Sequence, residues 1–294
     1  MHTSLPAFVS APVQAAQGYH GVFRHLPGED TLAEGSTPIR WLPASTGNKL
    51  IIFLPGNPGI LAFYDDFLRQ LHDNLNREVS ILGHSHLGHT PGVPQPSNSS
   101  LNTQIDAVVR VIDAAVAGGF TDITLLGHSV GSWISVQAFK QRTEVISKVL
   151  MVTPTISELR KSPNGQRVGW LTNPPMPLVI SHLTFLARLL PEVAVAALFP
   201  DWPRTQECAF SALSMAHNEM VQMRSIDTDI LSAHTEKFWA IFANGDAWLG
   251  EEQEARVVRT LGESDRLVHL DVPHAFSINH SELMAKECSK ALRM

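Results

Sequence analysis

The sequence predicts an α/β fold in which a mostly parallel central sheet carries helices on both faces and a helical insertion interrupts the chain. Three observations lead to this fold class. From about residue 48, short apolar runs alternate with amphipathic segments, which is the rhythm of parallel βαβ units. One run ends in Gly-His-Ser-Val-Gly at 127–131, directly before a helical segment. The stretch 155–235 breaks the rhythm with prolines, tryptophans and methionines.

The elements follow from periodicity and from the turn residues between them. The helix predicted at 103–116, for example, has apolar residues recurring along one face. Strands are expected at 49–54, 79–82, 123–126, 145–152, 238–243 and 266–270, with possible short strands at 21–24 and 39–42. Further helices are expected at 61–75, after residue 129, at 252–261 and from about 281, and a His-, Gly- and Pro-rich loop at 83–100. Residues 1–154 and 236–294 would form the core, and residues 155–235 an inserted helical cap.

Composition excludes several classes of protein. With 44% hydrophobic and 17% charged residues, the chain is not a disordered one. The formal charge of −6 gives no reason to expect a nucleic acid partner. Two cysteines make no disulfide framework, and the N-terminus lacks the basic and apolar segments of a signal peptide. Prolines divide the apolar stretch 174–203, so no spanning helix is expected. We therefore expect an intracellular protein.

The pentapeptide at 127–131 predicts a nucleophile elbow. In such an elbow a serine lies on a sharp turn between a strand and a helix, and its neighbours must be small. Gly127 and Gly131 satisfy this demand because neither carries a Cβ. The alternative is an ordinary Gly/Ser turn, but the strand before it and the helix after it favour Ser129 as a catalytic nucleophile.

A serine nucleophile needs a base and a group that orients the base, in the chain order Ser, acid, His. Asp246 follows the apolar strand 238–243 through Asn-Gly, and His274 follows the last strand. Asp246 could instead cap the next helix or serve the turn. Asp265 and Asp271 are rival acids, but one precedes the last strand and the other lies at its end. Position favours Asp246 as the acid and His274 as the base.

An oxyanion hole needs two backbone N–H groups aimed at the developing negative charge. Val130, the residue after the nucleophile, should supply one of them. The other should come from Pro-Gly-Asn-Pro-Gly at 55–59, here named the oxyanion loop, which follows an early strand. Pro58 has no N–H, so Asn57 is the expected donor and Gly56 the second choice. The plain alternative is a Pro/Gly turn.

A zinc site is a rival hypothesis. The sequence His-Ser-His-Leu-Gly-His at 84–89 approximates an H-x-H-x-D-H zinc motif, but Gly88 stands where the motif needs Asp. We therefore expect no metal and no cofactor. The loop should instead line the pocket, with His86, and with His128 beside the nucleophile, as candidate substrate-binding residues.

The insertion at 155–235 is expected to cover Ser129, because it leaves the sheet from the same edge at which the elbow lies. Its apolar residues, Leu213 and Met215 among them, would then contact the acyl part of a substrate. A surface anchor is one alternative for this segment, and an ordinary buried helical cap is another.

Five motifs in order give the chain a family resemblance. They are the oxyanion loop, Phe-Tyr at 63–64, Ser-His-Leu-Gly-His at 85–89, the elbow, and Pro-His-Ala-Phe at 273–276. Glu-Met at 219–220 and Asp-Ala-Trp at 246–248 add to it. Over residues 48–290 the chain resembles the lipid droplet-associated hydrolases, a branch of the serine α/β-hydrolases. The resemblance implies the α/β-hydrolase fold, Ser129, Asp246 and His274 as a triad, a lipid or sterol ester as substrate, and association with lipid droplets or the endoplasmic reticulum.

The leading hypothesis is thus a cofactor-independent serine hydrolase that cleaves a carboxylic ester through an acyl-enzyme on Ser129. Two alternatives stay open at this point. The same triad could serve an acyltransferase, a thioesterase or a lactone-forming or lactone-opening enzyme of specialised metabolism. A lipid-binding module with an idle triad is the non-enzymatic alternative.

Overall fold

The structure, a computed structural model, describes residues 5–10, 21–25, 35–45, 47–90, 93, 100–187 and 206–294. The predicted cap at 155–235 therefore lies partly outside the described residues, at 188–205. The same is true of much of the first 47 residues and of the predicted loop 83–100 at positions 91–92 and 94–99.

The described strands form one 8-stranded sheet in the order β1-β2-β4-β3-β5-β6-β7-β8. Two pairs are antiparallel, β1 with β2 and β2 with β4. The other neighbours in this order, from β4 to β8, pair parallel. A mostly parallel sheet was predicted. The strands are β1 Gly21–His25, β2 Gly35–Leu42, β3 Lys49–Leu54, β4 Ser80–His84, β5 Asp122–His128, β6 Ile146–Val152, β7 Phe238–Ala243 and β8 Leu267–Leu270.

Helices cover both faces of the sheet, also as predicted. We number the described α-helices α1 Asp65–Asn74, α2 Leu101–Ala117, α3 Val130–Gln141, α4 Pro163–Val168, α5 Met176–Ala187, α6 Gln206–Gln222, α7 Thr228–Ala233, α8 Glu251–Leu261 and α9 Ser281–Arg293. Buried residues of α2, α3 and α8 form one apolar cluster with the sheet, and those of α1 and α9 form another on the opposite face.

The strand β3 shows why both faces must be covered. Leu50, Ile52 and Leu54 belong to the first cluster, whereas Ile51 and Phe53 belong to the second. Successive side chains of a strand point to opposite faces, so a strand that is apolar at every position is buried on both sides.

Several element boundaries differ from the sequence expectation. The strand β2 begins at Gly35 rather than at 39, because its first half pairs with β1 in a register that sequence periodicity does not reveal, and Pro38 interrupts the strand signal. The strand β4 extends to His84. The helix expected at 61–75 is a 3₁₀ turn, Leu61–Tyr64, followed by α1. The helix α2 begins at Leu101, where the Ser100 hydroxyl accepts from the Thr103 N–H and caps it.

Between β6 and β7 the chain leaves the sheet, and the described part of this stretch, which includes α4 to α7, corresponds to the predicted cap. The helix α6 packs against α5 and the 3₁₀ turn Gly169–Thr172. Met215, Met220 and Met223 join the same apolar cluster as α2 and α3. None of the helices in the described ranges is both long and apolar enough to span a bilayer.

The turn between β5 and α3 is packed tightly enough to exclude side chains. A Cβ on Gly127 would lie 2.4 Å from the carbonyl oxygen of Gly131. A Cβ on Gly131 would lie 2.3 Å from the carbonyl oxygen of Leu54. Both obstacles are backbone atoms, which cannot move without moving β3 or α3. The two glycines therefore permit the close approach of β5, α3 and the end of β3.

We expect Gly131→Ala to lower the free energy of unfolding by about 1–3 kcal/mol, the usual cost of overpacking. Urea denaturation of the wild-type and Gly131→Ala proteins measures this difference in the free energy of unfolding. Gly169→Ala is the matched control, because the nearest atom to its added Cβ is the Met220 sulfur at 3.7 Å, an ordinary contact. Equal stability of the Gly131→Ala and Gly169→Ala proteins would contradict the packing argument.

Candidate active site

Ser129 lies in a strained turn at the carboxyl end of β5. Its φ of 52° and ψ of −123° are rare for a residue with a side chain. The backbone is held there by the Ser129 N–H, which donates to the Val152 carbonyl at 3.0 Å. The helix α3 begins at the next residue, so the turn presents the Ser129 hydroxyl at the edge of the sheet, as an elbow requires.

The structure brings the three residues predicted as a triad into one chain of hydrogen bonds. His274 Nε2 lies 3.0 Å from Ser129 Oγ. His274 Nδ1 lies 2.7 Å from Asp246 Oδ2. Because an ionised carboxylate only accepts, Nδ1 carries the proton and Nε2 is left to accept from the serine hydroxyl. This is the tautomer in which a histidine can act as a base toward Ser129.

Asp246 is almost fully enclosed. Its side chain is 2% exposed. The carboxylate accepts from the Trp248 N–H at 2.8 Å through Oδ1, so both oxygens have donors and the buried charge is compensated. The rival acids Asp265 and Asp271 are both exposed. Local geometry therefore favours Asp246 over both of them.

The oxyanion loop and the first turn of α3 leave two N–H groups available. The Gly56 N–H is already occupied, since it donates to Tyr64 Oη at 3.1 Å. Within the described part of the chain, the N–H groups of Asn57 and Val130 have no hydrogen-bond acceptor. The geometry is thus consistent with Asn57 rather than Gly56 as the second donor, and the assignment of both donors remains a prediction.

The side chain of Asn57 ties the oxyanion loop to α6, a helix of the predicted cap. Its Nδ2 donates to the Ala212 carbonyl at 2.8 Å and to Glu219 Oε1 at 2.9 Å. Glu219 is buried, and this burial raises the pKa of its carboxyl to about 7, although the Asn57 hydrogen bond acts in the opposite direction. A carboxyl group that titrates near neutral pH therefore lies beside the loop.

The four residues predicted to bind substrate are all buried. His128 is enclosed, with Nδ1 2.7 Å from Tyr64 Oη and Nε2 3.0 Å from the His274 carbonyl. His86 packs behind the oxyanion loop, where a Cβ on Gly59 would lie 2.3 Å from its ring. Leu213 and Met215 are buried on α6. A role in contacting substrate stays a prediction for each of the four.

The histidines of the 84–89 segment form a buried group. Burial lowers the pKa of His86 to about 4 and those of His84 and His89 well below the usual value. His89 Nδ1 accepts from the Gly59 N–H at 3.1 Å, so this imidazole supports the oxyanion loop. Among the residues that the structure describes, no three His, Cys, Asp or Glu side chains are placed to share a metal ion.

Tyr64, Glu219 and Thr153 are among the residues at the site that were not identified from the sequence alone. Tyr64 and Glu219 lie in motifs that carry the family resemblance, which is a signal that they matter but not of what they contact. Thr153 had no such signal. Its φ of 39° and its hydroxyl, which donates to the His274 carbonyl at 3.3 Å, are features of the folded chain only.

Comparison with known proteins places the chain in a family. The model of the family described as lipid-droplet associated hydrolase matches residues 47–209 and 202–277. The human lipid droplet-associated hydrolase is 26% identical over 83% of this chain and 85% of its own length.

Solved structures agree on the fold. An esterase from Thermogutta terrifontis has a TM-score of 0.62 at 14% identity, covering 88% of this chain and 94% of its own. An enol-lactonase from Burkholderia xenovorans has a TM-score of 0.63 at 14% identity, covering 88% and 97%. The predicted α/β-hydrolase fold is thereby confirmed. The protein is a hydrolase of the α/β-hydrolase type, and it belongs to the lipid droplet-associated hydrolase family.

Proposed function

We propose that the protein hydrolyses a carboxylic ester of a lipid or a sterol through an acyl-enzyme formed on Ser129. The observation that carries this proposal is the unbroken chain from Asp246 Oδ2 through His274 to Ser129 Oγ, with links of 2.7 and 3.0 Å. Membership of a family of lipid-droplet associated hydrolases supports a lipid substrate.

The acylation step follows from this geometry. Ser129 Oγ attacks the ester carbonyl carbon while His274 Nε2 takes the hydroxyl proton. The imidazolium is stabilised by Asp246, which keeps its charge. The N–H groups of Asn57 and Val130 stabilise the carbonyl oxygen as it becomes negative. When the tetrahedral adduct collapses, the C–O bond to the alcohol breaks, His274 returns its proton to the leaving oxygen, and the acyl group remains on Ser129.

Deacylation repeats the same proton transfers with water. His274 removes a proton from a water molecule that attacks the acyl carbon, and it then protonates Ser129 Oγ as the acid is released. Acyl transfer to an alcohol or lactone formation shares the first half of this cycle and differs only in the acceptor. Identifying the products released from a long-chain ester therefore distinguishes hydrolysis from acyl transfer and from lactone formation.

Ser129→Ala should lower kcat toward p-nitrophenyl butyrate by about 10³-fold or more and abolish labelling by a fluorophosphonate probe, because the nucleophile is absent. Asp246→Asn should also cause a large loss, since the amide favours the wrong tautomer of His274. Asp271→Asn is the matched control, because Asp271 is exposed at the end of β8. A Ser129→Ala protein with activity within about tenfold of wild type would contradict the assignment.

We also propose that residues 155–235 act as a cap over Ser129, on a core of residues 1–154 and 236–294. The two hydrogen bonds from Asn57 to Ala212 and Glu219 support this arrangement, because they join α6 to the oxyanion loop. In the proposed complex, Leu213 and Met215 contact the acyl chain.

Leu213→Phe should shift preference toward shorter acyl chains, because the larger ring takes space that methylenes would fill. Each methylene excluded costs ~0.8 kcal/mol, or about fourfold in relative rate. The rate with p-nitrophenyl acetate should change little. The kcat/KM series over p-nitrophenyl esters of increasing length measures the effect, with Val179→Phe, at a 43% exposed cap position, as the control. An unaltered chain-length profile would show that Leu213 of α6 does not set the acyl chain-length preference.

We propose further that the cap binds the surface of a lipid droplet or membrane. Trp170, Leu178 and Leu183 are 59%, 52% and 57% exposed. The sequence from 168 to 187 contains no Asp, Glu, Lys or Arg, so insertion of this segment into lipid would not desolvate a permanently charged side chain of its own. Through such contact the protein would meet a water-insoluble ester at the interface.

The double change Leu178→Asp with Leu183→Asp should reduce flotation with triolein droplets coated in phosphatidylcholine, because two carboxylates would resist insertion. Hydrolysis of a water-soluble ester should be unaffected. Leu283→Asp is the control, since Leu283 is 39% exposed on α9, which packs on the core. Equal flotation of the wild type, the double variant and the Leu283→Asp protein would show that this segment of the cap does not contact lipid.

A further inference from the structure

His128 lies at the end of the central strand β5, between two parts of the site. Three strands of the sheet separate β3, which leads into the oxyanion loop, from β8, which leads toward His274. The His128 ring lies between the segments that follow these two strands and bonds to both of them. On one side Nδ1 is 2.7 Å from Tyr64 Oη, which accepts from the Gly56 N–H at 3.1 Å. On the other side Nε2 is 3.0 Å from the His274 carbonyl oxygen.

The proton positions in this chain of hydrogen bonds follow from the groups at its two ends, the Gly56 N–H and the His274 carbonyl. The His274 carbonyl can only accept, so His128 Nε2 must carry a hydrogen. Burial lowers the pKa of His128 to about 3, so the ring is neutral and Nδ1 is unprotonated. Tyr64 therefore donates to Nδ1 and accepts from Gly56. Both ring nitrogens of His128 thus have a partner, and the His274 carbonyl accepts from Thr153 Oγ1 as well as from His128 Nε2.

This chain of hydrogen bonds is closely packed on all sides that the following contacts describe. His128 is 4% exposed and Tyr64 is 4% exposed. The Phe276 ring lies edge-on at 5.0 Å from the His128 ring centroid. A Cβ on Gly56 would lie 2.8 Å from His128 Nδ1 and 3.1 Å from the Cβ of Ser129. The loop backbone therefore rests directly on both the imidazole and the nucleophile.

We propose that His128 and Tyr64 are positioning residues, forming a neutral brace that fixes the oxyanion loop and the His274 loop relative to each other. The brace rests on the proposed function, because it positions the donors and the base of that mechanism. It makes no contact with the reacting atoms. Its effect is to keep the Asn57 N–H and His274 Nε2 in register with Ser129, where misplacement by about 1 Å can cost about 10²-fold in rate.

The test compares two replacements of His128. His128→Phe fills the space without any hydrogen bond and should lower kcat toward p-nitrophenyl butyrate by about 10–100-fold, with KM little changed. His128→Gln places an amide N–H near the position of Nε2 and should recover about tenfold of that loss, since it can still donate to the His274 carbonyl.

His25 supplies the matched control. It is 2% exposed and bonded to Thr37 on the outer strands of the sheet, so His25→Phe should lower the melting temperature and leave kcat unchanged. A Gln variant no better than the Phe variant, or a His25→Phe protein with an equal loss of kcat, would overturn the proposal.

Tyr64→Phe tests the other end of the brace without removing a ring from the core. It should lower kcat by about tenfold. The double change with His128→Phe should be no worse than His128→Phe alone, because members of one unit are not additive. Additive losses would show that the two residues act separately.

Nitrogen-15 NMR of the histidine rings in the Ser129→Ala protein separates the brace from the proposed function. His128 should carry its proton on Nε2 and should not titrate between about pH 5 and pH 9. A His128 ring that titrates in this range would overturn the brace. An inactive wild-type protein with a fixed His128 tautomer would instead overturn the esterase proposal and leave the brace standing.

Discussion

The left-handed backbone at Ser129 is the constraint on which the rest of the site depends. A residue with a side chain adopts φ near 52° only where its surroundings overdetermine it. Here the surroundings are backbone atoms. Gly127 packs against the backbone of Gly131, and Gly131 packs against the backbone at the end of β3. Because α3 must begin immediately after the turn, the Val130 N–H becomes one of the groups that the helix itself cannot satisfy. Strain in one residue thus places the proposed nucleophile and an unpaired donor side by side.

The parallel sheet supplies the remaining groups at the same edge. The carboxyl ends of β3, β5, β7 and β8 lie in one row, so the loops after them carry Asn57, Ser129, Asp246 and His274 to a common region. Loops alone would not hold these groups in fixed positions. Hydrogen bonds between the loops do, and each uses a buried polar atom that would otherwise be costly to leave unpaired.

The sequence predicted those features of the site that are encoded locally. Ser129, Asp246 and His274 each follow a recognisable strand in a short motif, and the structure brings all three together. The contacts between distant segments could not be predicted in this way. Asn57 and Glu219 are 162 positions apart, and no periodicity or spacing indicates that an asparagine amide will meet that carboxyl. The length of β2 was missed for a similar reason, since its first half is defined by pairing with β1.

The oxyanion loop is held from two sides by groups of different electrostatic character. On the core side, Gly56 is bonded through Tyr64 to His128, whose pKa of about 3 keeps the ring neutral throughout the physiological range. On the side of α6, Asn57 donates to Glu219, whose pKa of about 7 allows the carboxyl to change charge within that range. Ionised Glu219 is the stronger acceptor for the amide, but burial disfavours that form. The contact through Tyr64 and His128 is therefore constant, whereas the strength of the contact with α6 depends on a proton that Glu219 gains or loses near neutral pH.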